Sequence, residues 1–270
     1  MSIRIGTQGW NYAAWIGPFY PLGTRSPEFL SIYARAFHIV EVDSSFYAIP
    51  DVRAVRAWAE RTPRDFTFTL KMPQEITHER RLVDAEDLAL EFFDRARELG
   101  PRLGPILMQM GPDFGPDELP ALDQFIPKLP RDLRFAIELR QSRWTRNEVL
   151  APLLELLTEY GVALALSDGR WIPRETMIGL AERPTADFHY VRWMGPDRNI
   201  TDFSKLQFDR SAEIRMWGDV LKRVAHTRDV YGFFNNHFAG HSPANAREMQ
   251  RLLGQEPVDP SSLGAQQSLF

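Results

Sequence analysis

Eight short runs dominated by Val, Ile, Phe and Leu punctuate this chain at intervals of about 25 to 40 residues, the length of a strand, a helix and two loops. The runs are Ile3–Gly6, His38–Val42, Phe66–Lys71, Pro105–Gln109, Arg134–Glu138, Val162–Ser167, Phe188–Arg192 and Val230–Phe234. Between them, Val52–Arg61, Ala85–Leu99, Glu118–Phe125, Glu148–Tyr160 and Ala212–Ala225 place apolar residues at the helical period. Ser26-Pro27-Glu28 and Ser242-Pro243 read as helix starts, with serine as cap and proline at the first helical position. Only the stretch after Asp168 reads poorly as a helix.

Strands alternating with helices can form a closed barrel or an open doubly wound sheet. No glycine-rich phosphate loop follows the first strand, which favours closure. The expectation is an α/β protein, a single-domain (β/α)8 TIM barrel over residues 1–254, followed by a flexible tail over 255–270 that carries Pro257 and Pro260.

Composition narrows the functions this fold could carry. The 270 residues are 44% hydrophobic and 25% charged, which suits one large core. A net charge of -4 provides no global field for phosphate backbones or anionic lipid, so strong non-specific nucleic-acid binding is not expected. With no cysteine, there is no disulfide, thiolate nucleophile or cysteine-ligated metal. The N-terminus lacks a signal-peptide pattern and no apolar window approaches the ~20 residues of a membrane span, so a cytoplasmic location is expected.

Side-chain parity nominates a pocket, because alternate residues of a barrel strand face the interior and, at its C-terminal end, the mouth. In Phe66–Lys71 the apolar set is Phe66, Phe68 and Leu70, so Thr67, Thr69 and Lys71 should point inward. The same test puts Glu41 and Asp43 after strand two, Gln109 after strand four, and Glu138 with Arg140 after strand five. Asp168, Arg192 and Asn235 then finish strands six, seven and eight. Several carboxylates and cations converging on one end cost stability unless they serve a site. The alternative is that Glu138 with Arg140, or Asp43 with Lys71, are ion pairs that close the barrel.

The segments IGTQGWNYAAWIGPFYP, EVDSSFYAIP, FTFTLKMPQEITH, AIELRQSRW and YGFFNNHFAGHSPANA, in that order, resemble the YecE-like family, a domain of unknown function with a barrel fold. The resemblance runs from about Ile3 to Leu253 and maps the family's pocket motifs onto Glu41, Asp43, Ser45, Phe46, Tyr47, Lys71, Gln109, Glu138, Arg140, Asp168, Arg192, Asn235 and Asn236. One departure stands out. The family usually reads Arg-x-His-Gly after strand seven, whereas this chain has Arg192-Trp193-Met194-Gly195, so no proton transfer by that histidine carries over.

These residues suit an enzyme acting on a small polar or anionic substrate, a hydrolase, lyase or isomerase. Glu138 would be the acid or base, with Asp168, Glu41 and Asp43 as further carboxylates. Lys71 would give electrostatic stabilisation or, as a weaker variant, a Schiff base, and Arg192 would anchor a carboxylate or phosphate. Trp10, Phe46, Tyr47 and Trp144 could stack a ring, and Gln109, Arg140, Asn235 and Asn236 complete the substrate-binding set. A retaining glycosidase needs two carboxyls ~5 Å apart, and Gln109 and Arg192 at the usual positions argue against it. No cofactor is required by the sequence. A divalent metal is open through Glu41, Asp43, Glu138 and Asp168, and His237 and His241 are weaker candidate ligands.

Two readings from other classes compete. Gln266, Leu269 and Phe270 belong to a terminal QQSLF that resembles the bacterial sliding-clamp-binding pentapeptide, which would tether the barrel to DNA maintenance. A non-catalytic ligand-binding barrel is the other.

Overall fold

The computed structural model describes residues 2–196 and 199–264. Its strands are β1 (Ile3–Gln8), β2 (Ile39–Val42), β3 (Thr67–Leu70), β4 (Ile106–Gln109), β5 (Phe135–Glu138), β6 (Ala163–Leu164), β7 (Leu166–Gly169), β8 (Phe188–Gly195) and β9 (Asp229–Phe234). Every pairing is parallel, in the order β3-β2-β1-β9-β8-β7 and β4-β5-β6. The two sheets join at both edges: Ala165 alone separates β6 from β7, and bridges Phe68 to Leu103 and Lys71 to Leu107 tie β3 to β4. The result is the expected (β/α)8 barrel, with β6 and β7 sharing one strand position.

Each strand position is followed by a helix: α1 (Phe29–Ala36), α2 (Val52–Glu60), α3 (Glu86–Arg97), α4 (Leu119–Phe125), α5 (Asn147–Tyr160), α6 (Arg174–Ala181), α7 (Ser211–Val224) and α8 (Ser242–Leu252). The stretch after Asp168 does form a helix, α6. Pro173 and Gly179 hide it in the sequence, yet Pro173 sits just before the first turn, where a missing N–H costs nothing, and Met177, Leu180 and Ala181 are buried. The serine caps do not form as expected. Ser26 lies inside a short 3-10 turn and donates to Asn11 Oδ1 at 2.9 Å, while Ser242 is already helical and donates to Asn236 Oδ1 at 2.8 Å.

Burial separates into two layers, as parity requires. Outward-facing residues such as Val40, Phe68, Met108, Ile137 and Val191 pack against the helices in one large cluster. Inside the barrel, Ile39, Leu107, Ala136, Phe188, Tyr190 and Phe233 fill the lower half. The small Ala136, Ala163 and Ala165 leave room for the aromatic rings, the alternation of sizes that fills a taper without voids. A layer of buried, paired charges begins above this plug.

Residues 255–264, expected from sequence to be flexible, lie on the barrel instead. Gln255 Nε2 donates to Ile3 O at 2.7 Å, Arg35 Nη1 donates to Leu263 O at 2.9 Å, and Leu263 is buried. The sequence-predicted partner residues Gln266, Leu269 and Phe270 lie outside the described residues. Among the described residues, no helix is long and apolar enough to cross a membrane.

Candidate active site

The upper interior of the barrel is a charged layer built from strand ends. Arg192 of β8 reaches across the interior to β2, where its Nη2 meets Glu41 Oε1 at 2.7 Å and its Nε meets Glu41 Oε2 at 3.0 Å. Its Nη1 donates to Glu138 Oε2 and, at 3.3 Å, to Gln109 Oε1. Arg140 completes the layer, with Nε on Glu138 Oε1 and Nη2 on Gln109 Oε1, both at 2.7 Å. Tyr190 Oη donates to Glu41 Oε2 at 2.6 Å, and Ser167 Oγ donates to Glu138 at 3.4 Å. Both carboxylates are fully buried and each is bonded by several donors, the arrangement that makes a buried charge tolerable.

This layer changes the roles expected of Glu138 and Glu41. The guanidinium groups of Arg140 and Arg192 hold the Glu138 carboxyl down at about 2 against the opposing effect of burial. A base that weak, with both oxygens occupied, is poorly placed for proton transfer near neutral pH. Both glutamates lie behind the two arginines and do not line the cavity above. Their work is to neutralise and orient the guanidinium groups.

Above the layer opens a cavity of about 660 Å³ at the C-terminal ends of the strands. Among the described residues, Lys71, Arg140, Arg170 and Arg192 line it, against a single carboxylate, Asp43, with Gln8, Tyr12, Phe46, Tyr47, His78, Trp171, Met194, Asn235 and His237 among the remaining wall residues. Lys71 and Asp43 differ from the charges beneath them. Among the described residues, neither makes a hydrogen bond or ion pair through its charged end, so the alternative of an Asp43–Lys71 closing pair is not formed. Lys71 Nζ sits 3.7 Å from the centre of the Phe46 ring. Burial, with Arg192 nearby, lowers the Lys71 ammonium to about 8. Burial, with Glu41 nearby, raises the Asp43 carboxyl to about 6.

Local chain geometry sets this up. Lys71 follows the inward-facing Thr69 on β3, and its backbone N–H and carbonyl are both held by Ser45 Oγ at 3.1 and 2.8 Å. Gly195, at φ 82°, brings the end of β8 so close to the next loop that a Cβ there would lie 2.3 Å from His237 O. Asn235 Nδ2 donates to Gln8 Oε1 at 2.7 Å, and its Oδ1 accepts from the His237 N–H at 2.8 Å.

Of the other sequence-predicted residues, Gln109, Phe46, Tyr47, Asn235, Arg140 and Arg192 line the cavity. Asp168 does not. It points out of the barrel and accepts from Trp217 Nε1 and Arg174 Nε, both at 2.7 Å, because the alternation that turns Ala163, Ala165 and Ser167 inward turns Asp168 outward. Trp10 packs edge-on against Trp58, with ring centres 5.8 Å apart, and Trp144 is buried against Phe114, so neither ring reaches the cavity. Asn236 is buried and its Oδ1 accepts from Trp15 Nε1 and the Ser242 hydroxyl, which fixes the loop and not a ligand. With Glu41, Glu138 and Asp168 committed elsewhere, the carboxylates proposed for a divalent metal do not converge, and no group of three metal-binding side chains occurs among the described residues. His241 is buried with Nδ1 on Phe203 O at 2.9 Å and does not pair with His237 over the cavity.

The wall residues Gln8, Tyr12, His78, Arg170 and Trp171 were not nominated by parity. Gln8 ends β1 and was passed over there, while the other four lie beyond the strand ends, where alternation carries no signal; Gln8, Tyr12 and His78 nevertheless fall within the segments that carry the family resemblance.

Residues 4–268 match the family described as "Protein of unknown function DUF72". Relatives include UPF0759 protein YecE of Escherichia coli K12, 36% identical over 169 residues, a match covering 62% of this chain and 60% of that protein. UPF0759 protein YunF of Bacillus subtilis is 29% identical over 275 residues, covering 93% of this chain and 94% of that one. Among solved structures, a DUF72 family protein of Thermotoga maritima superposes with a TM-score of 0.79 at 23% identity, covering 94% of this chain and all (100%) of that one. D-psicose 3-epimerase of Clostridium cellulolyticum superposes with a TM-score of 0.55 at 11% identity, covering 94% and 97%, a likeness of fold alone. The family match extends over nearly the whole barrel and its charged mouth, and on that ground the chain belongs to the DUF72 family, the YecE-like proteins.

Proposed function

We propose that this barrel is an enzyme that seats the anionic end of a small phosphate- or carboxylate-bearing substrate against Lys71, Arg140 and Arg192, and moves a proton through Asp43. The observation that carries the reading is the division of labour among the charges. Glu41 and Glu138 are spent on the arginines, whereas Asp43 and Lys71 face the cavity with no hydrogen-bond or ion-pair partner for their charged ends among the described residues. A carboxyl raised to about 6 and an ammonium lowered to about 8 both titrate near neutral pH, where proton transfer is most efficient. The two pre-oriented guanidinium groups offer an anion hydrogen bonds at little cost in reorganisation.

A thermal-shift panel of inorganic phosphate, sugar phosphates and small organic acids tests this directly. At least one anion should raise the melting temperature of the wild type by several degrees and leave Lys71→Met unmoved. An equal shift in Lys71→Met, or no stabilising anion at all, would overturn the reading.

A further inference from the structure

The loop between β3 and α3 holds an unusual backbone. It forms a π turn, Glu75–Glu79, and then places Arg81 (φ 52°), Leu82 (φ 69°) and Asp84 (φ 49°) in the left-handed region. Such residues are strained and persist only where the surroundings hold them. Here Leu82 is buried and its N–H is bonded to Ile76 O at 2.9 Å, while the Arg81 guanidinium is fixed to Glu118 and, at 2.6 Å, to Asp113. π turns recur at functional sites. What this one presents to the cavity is His78, its ring edge-on to Phe46 with centres 5.0 Å apart.

The ring's hydrogen bonds suggest its tautomer. Thr77 Oγ1 lies 3.3 Å from Pro73 O, four residues back, and only the threonine can supply that proton. The same oxygen is 2.8 Å from His78 Nδ1, and once its proton is turned to Pro73 it accepts there. The charges around His78 agree with this. Lys71 and Arg140 stand on the cavity side, with Arg81 and Asp113 on the loop side, and burial together with the cations lowers its pKa, which favours a neutral ring.

We propose that His78 is a second proton-transfer group of the cavity, holding its proton on Nδ1 toward Thr77 and presenting the Nε2 lone pair to a bound ligand. The proposal rests on the anion-binding, proton-moving reading above and deepens it. With Asp43 protonated, one O–H bond breaks as Asp43 gives its proton to the ligand, and one N–H bond forms as His78 Nε2 takes a proton from the ligand. The new carboxylate and imidazolium charges cancel, so the cavity keeps its net charge through the exchange.

Long-range 1H–15N spectra of the histidine rings, assigned with His78→Gln, test this in the intact protein with inorganic phosphate as the probe. The expected result is an Nδ1–H tautomer near pH 7.5 in the free protein, with Thr77→Val moving it toward Nε2–H, and a His78 pKa that rises when phosphate is added. An Nε2–H tautomer in the wild type overturns the proposal whatever phosphate does. So does a His78 pKa that stays fixed while phosphate shifts the amides of Lys71 and Gln109. Phosphate that perturbs none of these groups counts against the anion seat itself, and the free-protein tautomer then decides the role of His78 by itself.

Discussion

Arg192 and Glu41, 151 residues apart in sequence, face each other across the barrel in a two-bond pair of 2.7 and 3.0 Å. The pair joins β8 to β2 through the interior, and Glu138 continues it to β5. An ion layer of this kind sits directly over the apolar plug, so it acts both as the top course of the core and as the floor of the cavity. Its members are therefore expected to be coupled in stability, while the groups above them are free to serve chemistry.

Glu138→Gln should destabilise the protein by roughly 3–5 kcal/mol, because it leaves Arg140 and Arg192 buried with less counter-charge. Urea denaturation at pH 7 measures this. Since the Glu138 carboxyl is held at about 2 in the folded state, below its ordinary 4.5, the stability it contributes is complete above 4.5 and is lost as pH falls toward 2. The mutant should accordingly lose much of the wild type's stability change between pH 5 and 3.

Asp43→Asn should act in the opposite direction. Its carboxyl is raised to about 6 from 3.8, so the folded state penalises the charge, and this cost appears as pH rises through that interval. At pH 7.5 the amide should be more stable than the wild type by roughly 1–3 kcal/mol, and at pH 3.5 the two should converge. Activity, once a substrate is in hand, should fall by at least 100-fold in the same variant. A residue that costs stability where it is most needed for turnover is typical of a working site.

Asp168→Asn separates structure from function in a different way. Asp168 binds Trp217 and Arg174 outside the barrel, so the change should cost roughly 1–3 kcal/mol in denaturation while leaving anion binding within a factor of two. A large loss of ligand affinity with unchanged stability would return Asp168 to the site.

Affinity for sulfate, an anion whose own charge is fixed in this range, should weaken as pH rises through about 8, where Lys71 loses its proton. Calorimetric titration with sulfate from pH 7 to 9 measures it, and Lys71→Arg, whose charge persists, should remove the alkaline decline.

How much of this was legible in the sequence follows from where each signal resides. The strands were visible because inward and outward residues alternate, and the same alternation found Lys71, Gln109, Glu138, Arg140 and Arg192. It was misapplied at Asp168: the alternation runs unbroken through Ala165, with Ala163, Ala165 and Ser167 facing inward and Val162, Leu166 and Asp168 facing outward. It also could not rank the carboxylates. Glu41, Asp43 and Glu138 look alike in sequence, and only the reach of Arg192 across the barrel decides which are spent and which is left over. His78 escaped because a π turn and three left-handed residues place it, and none of the latter is a glycine that would have signalled such a backbone.

The carboxyl carbon of Asp43, followed by 13C-detected NMR from pH 3 to 9 and assigned with Asp43→Asn, tests most directly whether the cavity holds an uncommitted acid beside Lys71. A midpoint near 6 that falls in the presence of a bound cationic ligand and rises with inorganic phosphate is the expected result. A midpoint at or below 4, unmoved by phosphate, would mean that Asp43 is an ordinary ionised carboxylate and would contradict the proton-transfer role assigned to it.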